Sequence, residues 1–593
     1  MTSIPAPQRL PLRGADYRTL LQAYLAPQWR KVALLLTLLL VGAALTLLSP
    51  GILAAFIDAV IGSSSANMAQ LGGLFLGIAV LNQAVTIATN YLGTDVGLRA
   101  TNALRADLTL HCLELDLAFH NRTTPGTLIE RIDGDVALLN EFLSNFAVLL
   151  LKNGLLLVGA LAAIWLIDRR AGALLGGYML VALGLLEAVR RTAVPAVRRE
   201  REASAQLFGV IEERLAATED MRANGAEVFV QQGFLEQSRA WSWAHVAAHA
   251  AGSNPGRLAN VIFAIGLALA LGLAAWLVGA QTISIGAAYA LFHYVEIMRW
   301  PIQQIGRQVQ ELQQASASII RVQELSALHS DISDAGTAAL PTDALALQFD
   351  GVRFAYPTQE PDAQRAAIDD LSFHVPAGAV LGLLGRTGSG KSTMTRLLLR
   401  FYEPQQGTIR LNGLPLDSFA LDRLRAGIGL VTQEVQIFNA SVRENLSLFD
   451  PAVPDQRLLA ALQAVELDGW FATLPDGLDM IMPPGGGMSA GQAQLLAAAR
   501  VLLREPGLVI LDEASSRLDP ATEQRLEHAL GTLLAGRTAI IIAHRLATVQ
   551  RADLIMLLED GRCVEFGPRA ALAADPNSRF AQLLEVGMEE ALA

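Results

Sequence analysis

Six stretches of this chain are apolar for long enough to cross a lipid bilayer as helices: roughly Val32–Ala59, Leu71–Leu92, Phe146–Ile167, Ala171–Val189, Leu258–Val278 and Ala287–Ile305. A span takes about 20 apolar residues, because the bilayer core offers no water to satisfy the backbone and a helix satisfies itself. The fifth stretch, LANVIFAIGLALALGLAAWLV, is the cleanest; the sixth is the weakest, since it carries His293, Glu296 and Arg299. With 52% hydrophobic and 17% charged residues, the chain is too apolar for two ordinary soluble domains. The alternative, buried helices of a soluble core, needs several all-round apolar segments with uncharged flanks. The expectation is a six-helix all-α membrane domain over residues 31–325, preceded by a segment, 1–30, without the apolar core of a cleavable signal.

Loop charge sets the orientation, because Lys and Arg are retained on the cytosolic side. The connections IGSSSANMAQ and GAQTISIG carry no Lys or Arg, whereas Arg99, Arg105, Arg122 and Arg131 lie between the second and third stretches. Between the fourth and fifth lie nine arginines, from Arg190 to Arg257. The N-terminus and both long connections are therefore expected in the cytosol, and Arg169 and Arg170 on an outer turn break the pattern. These connections, near 110–145 and 195–250, read as long helical extensions. Their tips, near Asp133–Ala137 and Glu219–Gly225, are candidates for touching another domain. Glu296 and Arg299, three residues apart on one helical face, read as an internal ion pair or as part of a substrate cavity.

Residues 326–345 lose apolar periodicity and collect Ser, Asp, Gly and Pro, a linker. Beyond it, over 346–593, short β-type runs alternate with helical segments. Gly385-Arg-Thr-Gly388-Ser389-Gly390-Lys391-Ser392-Thr393 follows an apolar strand, AVLGLLG, and opens a helix. Glycines at that spacing let a backbone wrap phosphates, the helix N-terminus favours anions, a lysine reaches the outer phosphates and a hydroxyl ligates Mg²⁺. Leu508-Val-Ile-Leu-Asp512-Glu513 is an apolar strand ending in two carboxylates, one for Mg²⁺ and one to polarise an attacking water. ATP and Mg²⁺ are thus the expected ligands. A formal net charge of −11 argues against a nucleic-acid partner. The two cysteines, Cys112 and Cys563, are too far apart to suggest a disulfide framework or a metal site.

Met488-Ser489-Ala490-Gly491-Gln492, just before the carboxylate strand, resembles the Leu-Ser-Gly-Gly-Gln signature of ABC ATPases. Other markers of that family stand in order. Tyr356 resembles the aromatic that stacks on adenine, and Gln433 the glutamine that senses Mg²⁺ and the coupling helices. Ser516-Arg-Leu-Asp519 resembles the dimer-contacting loop, and His544 the histidine that contacts the γ-phosphate. FHNRTTPGTLIERIDGDVALL resembles the first coupling region of exporter-type members, and SASIIRVQEL their exit from the sixth helix. The resemblance covers the whole chain. It implies an α/β P-loop ABC ATPase domain with a helical subdomain, fused behind the membrane domain. Such a half-transporter works as a dimer by alternating access in the plasma membrane, each ATP held between Gly385, Thr387, Gly388, Ser389, Gly390, Lys391, Ser392 and Thr393 of one half and the signature of the other. Ser489, Gly491, Gln492 and Asp519 would meet the partner's nucleotide; Glu513, His544 and Gln433 would act in catalysis; Ser392, Gln433 and Asp512 would hold Mg²⁺. The expected cargo is a small or amphipathic drug, lipid or peptide.

The sequence departs from the family pattern at Ala490, where the family has glycine, and at Ala493 and Leu495, where it has arginines. MIMPPGGG lacks the family's Glu-Arg pair. An altered face toward the partner favours a heterodimer over a homodimer. A different reading is a regulatory or assembly subunit that binds ATP and transports little.

Overall fold

The computed structural model describes residues 22–62, 65–357, 366–483, 487–512, 520–542 and 549–586. The chain divides into two units, one of residues 1–113 and 125–328, the other of 114–124 and 329–593.

The first unit is helical: α1 (Trp29–Ile61), α2 (Ser65–Glu114), α4 (Pro125–Ile167), α5 (Arg169–Ala216), α6 (Glu227–Gly279) and α7 (Ile285–Ser326). The segment α3 (Leu117–Arg122) belongs to the other unit. At 1.5 Å per residue the 50 residues of α2 run about 75 Å, more than twice the roughly 30 Å hydrocarbon core. The long extensions read from composition are therefore continuous helix. Among the described residues α1, α2, α4, α5 and α6 are long and apolar enough to cross a membrane. Helix α7 has the length but carries Glu296 and Arg299 and runs on into Gln303 and Gln304.

The core of this unit gathers Ala160 and Ile164 of α4, Leu175 of α5, Leu277 of α6 and Leu291 of α7. With lipid as apolar as the side chains, close packing and interhelical hydrogen bonds hold such helices together. At Gly286 a Cβ would lie 2.1 Å from the Ala54 carbonyl, so only glycine lets α7 approach α1 there. Asp58 of α1 accepts from the Ser284 hydroxyl at 2.6 Å and the Gly286 N–H at 2.8 Å, and Tyr294 donates to the Leu47 carbonyl at 2.8 Å. The turn that breaks the charge rule is held by Asp168, which accepts from the N–H groups of Arg170 and Ala171 at 2.8 and 3.0 Å and caps α5. The Arg170 guanidinium sits over Trp276.

The tip expected near Asp133–Ala137 is interior to α4. Asp135 is only 4% exposed and accepts from Ser318 at 3.0 Å and Arg321 Nε at 2.8 Å, while Arg105 pairs with Asp133 at 3.0 Å. These acids read as a loop tip because their partners lie far off in sequence. The second tip is a real turn: a short helix, Thr218–Ala223, ends at Asn224 and at Gly225, whose φ is +62°.

In the second unit a four-stranded antiparallel sheet, ordered β2 (Ile368–Val375), β1 (Leu347–Phe354), β4 (Gln406–Leu411), β5 (Leu414–Pro415), accompanies a six-stranded one. The latter is ordered β10 (Arg562–Pro568), β9 (Leu554–Glu559), β3 (Val380–Leu384), β8 (Thr538–Ile542), β7 (Leu508–Asp512), β6 (Ile428–Val431). Strands β3 and β6 to β9 pair in parallel. They read as unbroken apolar runs because both faces are buried. Alternate residues serve opposite cores: Val509 and Leu511 face one, Leu508 and Ile510 the other. Helix α8 (Lys391–Leu398) follows β3, and a helical section contains α9 (Val442–Ser447), α10 (Asp455–Ala464) and α11 (Ala490–Arg504).

Segment α3 docks within this unit. Asp116 caps it by accepting from Phe119 N–H at 2.8 Å, and Leu117 and Ala118 pack against the core shared by β1 and α8.

Candidate nucleotide site

The parallel strands bring the chemistry to one edge. Leu383 of β3 lies opposite Ile542 of β8, Ile542 opposite Asp512 of β7, and Leu511 of β7 opposite Val431 of β6. Four strands thus end within about one residue of a common level. The phosphate-type loop leaves β3 there, Asp512 closes β7, and Gln433 stands two residues beyond β6, exposed. The carboxyl edge of an open parallel sheet is where such folds bind ligands. Glu513, His544 and Asp519 fall outside the described residues.

Glycine is required in the loop. Gly390 has φ +109°, and a Cβ there would meet the Ala367 carbonyl at 2.6 Å; at Gly385 it would meet the Leu558 carbonyl at 2.3 Å. Gly390 then caps α8, whose first N–H groups turn toward the loop's concave side. Lys391 is only 7% exposed, and its ammonium donates to the carbonyls of Gly385 and Arg386 at 2.5 and 3.0 Å. The loop thereby holds its cation in place. The Ser389 hydroxyl is buried without a hydrogen-bond partner among the described residues, a polar group fitted for a ligand oxygen. Ser392 is exposed on the first turn of α8 and Thr393 is buried. A nucleotide phosphate fits this cradle, and Ser392 and Asp512 supply the oxygen chemistry a Mg²⁺ ion takes.

Tyr356 lies beside the same helix. Its hydroxyl is 3.1 Å from the Thr393 hydroxyl and accepts from Arg396 at 2.9 Å, and its ring meets Tyr402 edge to face at 5.2 Å.

The signature folds as a helix start. Ser489 caps α11, accepting from Gln492 N–H at 3.2 Å, while the Gln492 side chain accepts from Ser489 N–H at 3.0 Å, a reciprocal capping box. Ala490 is the first helical residue, exposed, and is not among the positive-φ positions, so alanine suits the backbone there. Only its methyl group therefore distinguishes it from glycine at that position. Leu495 is 1% exposed and Ala493 packs on the same core, so both replacements have apolar surroundings.

In the membrane unit, Arg299 and Glu296 are 3.5 Å apart, the guanidinium lies 4.8 Å above Phe263, and Arg299 lines a narrow apolar cleft of about 30 Å³ among α5, α6 and α7. The pair and the cleft coexist. Sequence reading passed over Lys152, hidden inside an apolar run, and Asn121 and Tyr402, whose pairing no local pattern announces.

Residues 368–516 match the family model described as ABC transporter, and residues 32–302 the one described as ABC transporter transmembrane region. The chain is 31% identical to an ATP-dependent lipid A-core flippase of Alkalilimnicola ehrlichii over 95% of both proteins. It is 30% identical to an uncharacterized ABC transporter ATP-binding protein, YknV, of Bacillus subtilis, over 93% of this chain and 92% of that one. Its fold matches a bacterial Atm1-family ABC exporter solved with ATP bound, with a TM-score of 0.78 at 23% identity, covering 95% of this chain and 98% of that one. Helical membrane unit, phosphate loop, carboxylate strand and whole-length relatives agree, and the chain belongs to the ABC transporter family as an exporter-type half-transporter whose ATPase drives transport.

Proposed function

We propose that this chain exports a small or amphipathic substrate across the plasma membrane as one half of a dimer, with its ATPase unit in the cytosol and a heterologous partner favoured over a second copy. The observation that supports it most is the common edge where the phosphate loop, Asp512 and Gln433 meet.

Lys391 neutralises the outer phosphates of ATP, and the N–H groups opening α8 cradle them. Ser392, Asp512 and Gln433 would hold Mg²⁺, directly or through water, and the ion would supply positive charge against the phosphates. Tyr356 offers its ring to adenine. Glu513 takes the proton of the attacking water and His544 steadies the γ-phosphate. Ser489, Gly491, Gln492 and Asp519 face the partner's nucleotide, with the N-terminal end of α11 directed at its phosphates.

Ala490 puts a methyl group where the signature closes on the γ-phosphate, which slows the site this chain completes in its partner. Confined to one site of a heterodimer, that defect is tolerated better than at both sites of a homodimer. The same residue favours the second reading, a regulatory subunit with little transport of its own. Relatives that include lipid flippases support the lipid end of the substrate range.

Lys391→Ala and Glu513→Gln in the reconstituted complex test the reading. The first should lose ATP binding. The second should bind ATP and lose hydrolysis by about 10²–10⁴-fold, the worth of a general base. Wild-type hydrolysis by the Gln variant would remove Glu513 from the mechanism.

A further inference from the structure

We propose that the turn Asp560–Gly561 is a positioning element for the phosphate loop and aims a backbone N–H at the nucleotide; this rests on the reading of that loop as the cradle for ATP. The turn joins β9 to β10, which pair from Glu559 opposite Arg562. Asp560 has φ +49° and Gly561 φ +81°, the left-handed pair that a two-residue hairpin turn takes. Asp-Gly is a favoured choice for that geometry.

The second central residue of such a turn has no partner inside the hairpin for its N–H or its C=O, and each must find one elsewhere. Here both do. The Gly561 N–H donates to the Ser389 carbonyl at 3.0 Å, and the Gly561 carbonyl accepts from the Asp369 N–H of β2 at 2.9 Å. The fit is close. A Cβ on Gly561 would lie 2.8 Å from the Ala367 carbonyl, and one on Gly390 would lie 2.6 Å from the same oxygen. Turn, start of β2 and phosphate loop thus meet backbone to backbone.

The consequence falls on Gly390. A trans peptide holds its C=O and N–H on opposite sides, and the Ser389–Gly390 bond is trans. Fixing the Ser389 carbonyl on the turn therefore points the Gly390 N–H away from it, to join the N–H groups that open α8. A donor fixed in advance costs no ordering when the phosphate arrives. The same N–H meets the phosphate before and during the reaction, so losing its aim raises the KM for ATP and leaves kcat.

Asp560→Val and Asp560→Ala test the turn. Valine resists a positive φ strongly and alanine less, whereas Asp560→Asn keeps the turn. The full chain, with the partner that accompanies it, is assayed in lipid nanodiscs for ATP turnover and, without nucleotide, for amide hydrogen exchange. Asp560→Val should raise the KM for ATP by about two- to tenfold, the worth of one backbone hydrogen bond, with kcat unchanged. The peptide over residues 385–391 should exchange faster, while β3 and β7 keep wild-type protection. Asp560→Ala should fall between, and carries the comparison should valine prevent folding. Asp560→Asn should match wild type on both readouts. A wild-type KM in the valine and alanine variants, wild-type loop exchange in them, or faster exchange throughout the ATPase unit each overturns the proposal. A wild type that binds no ATP, with loop exchange still faster in Asp560→Val, sinks the cradle reading and leaves the turn's hold on the loop supported.

Discussion

The side-chain amide of Asn121 donates to the Tyr402 hydroxyl at 2.8 Å, joining positions 281 residues apart. Asn121 lies on α3, the short helix that interrupts the membrane unit in sequence and packs with the ATPase fold. Tyr402 stands edge-on to Tyr356, whose hydroxyl reaches Thr393 at the foot of the phosphate loop. Burial pushes the Tyr402 phenol above its ordinary pKa, so it stays neutral at physiological pH. Three contacts therefore run, within one unit, from α3 to the helix that follows the phosphate loop.

Tyr402→Phe keeps the ring and removes the acceptor. One net hydrogen bond is worth about 0.5–1.5 kcal/mol, so substrate-stimulated ATP turnover should fall by about two- to tenfold. ATP affinity should change little, because Tyr356 and Lys391 are untouched. Asn121→Ala should behave alike, and the double variant should cost no more than either alone. Fully additive losses in that cycle would show that the two residues act independently.

Ala490→Gly tests the signature. Alanine at the first turn of α11 is a good helix former, so glycine should lower the thermal midpoint slightly, by up to about 1 kcal/mol of helix propensity. If the methyl group hinders the partner's γ-phosphate, turnover of the complex should rise despite that loss. Unchanged turnover would remove the reason for preferring a heterodimer.

The site was legible where chemistry dictates local order. Gly385 to Thr393 must be contiguous to wrap a phosphate, and Leu508 to Asp512 must be apolar to lie between two cores. Residues that meet partners distant in sequence were not legible. Asp133 and Asp135 resembled an exposed tip because Arg105, Ser318 and Arg321 lie on other helices. The docking helix at Leu117–Arg122 was shifted upstream of the tip expected in that region for the same reason. Lys152 was invisible because one charge barely alters the hydropathy of a 21-residue apolar helix.

The helical section of the ATPase unit carries an acid-sensitive tie. Arg443 of α9 hydrogen-bonds both Asp455, at the start of α10, and Asp479. The Arg443 guanidinium holds the Asp455 carboxyl below its ordinary pKa. A depressed carboxylate stabilises the fold above its unfolded pKa, about 3.9, and that contribution disappears as pH falls through the lower folded value. Asp455→Asn should therefore melt slightly below wild type at pH 7, and the two midpoints should converge below about pH 4. A constant difference across that range would mean Asp455 acts through packing rather than charge.

Orientation is tested at two exposed turns. Thr282 lies between α6 and α7, where its hydroxyl donates to the Leu277 carbonyl at 2.9 Å; Thr218 opens the short helix between α5 and α6. The arginine-free connection around Thr282 should lie outside, and the arginine-rich one around Thr218 inside. Background from the native thiols should be low, because Cys112 is buried and Cys563 is half-buried, with burial raising the pKa of the Cys563 thiol. A membrane-impermeant maleimide should label Thr282→Cys on intact cells and label Thr218→Cys only after permeabilisation. Labelling of Thr218→Cys from outside would invert the topology and put the ATPase unit on the wrong side of the membrane from its ATP.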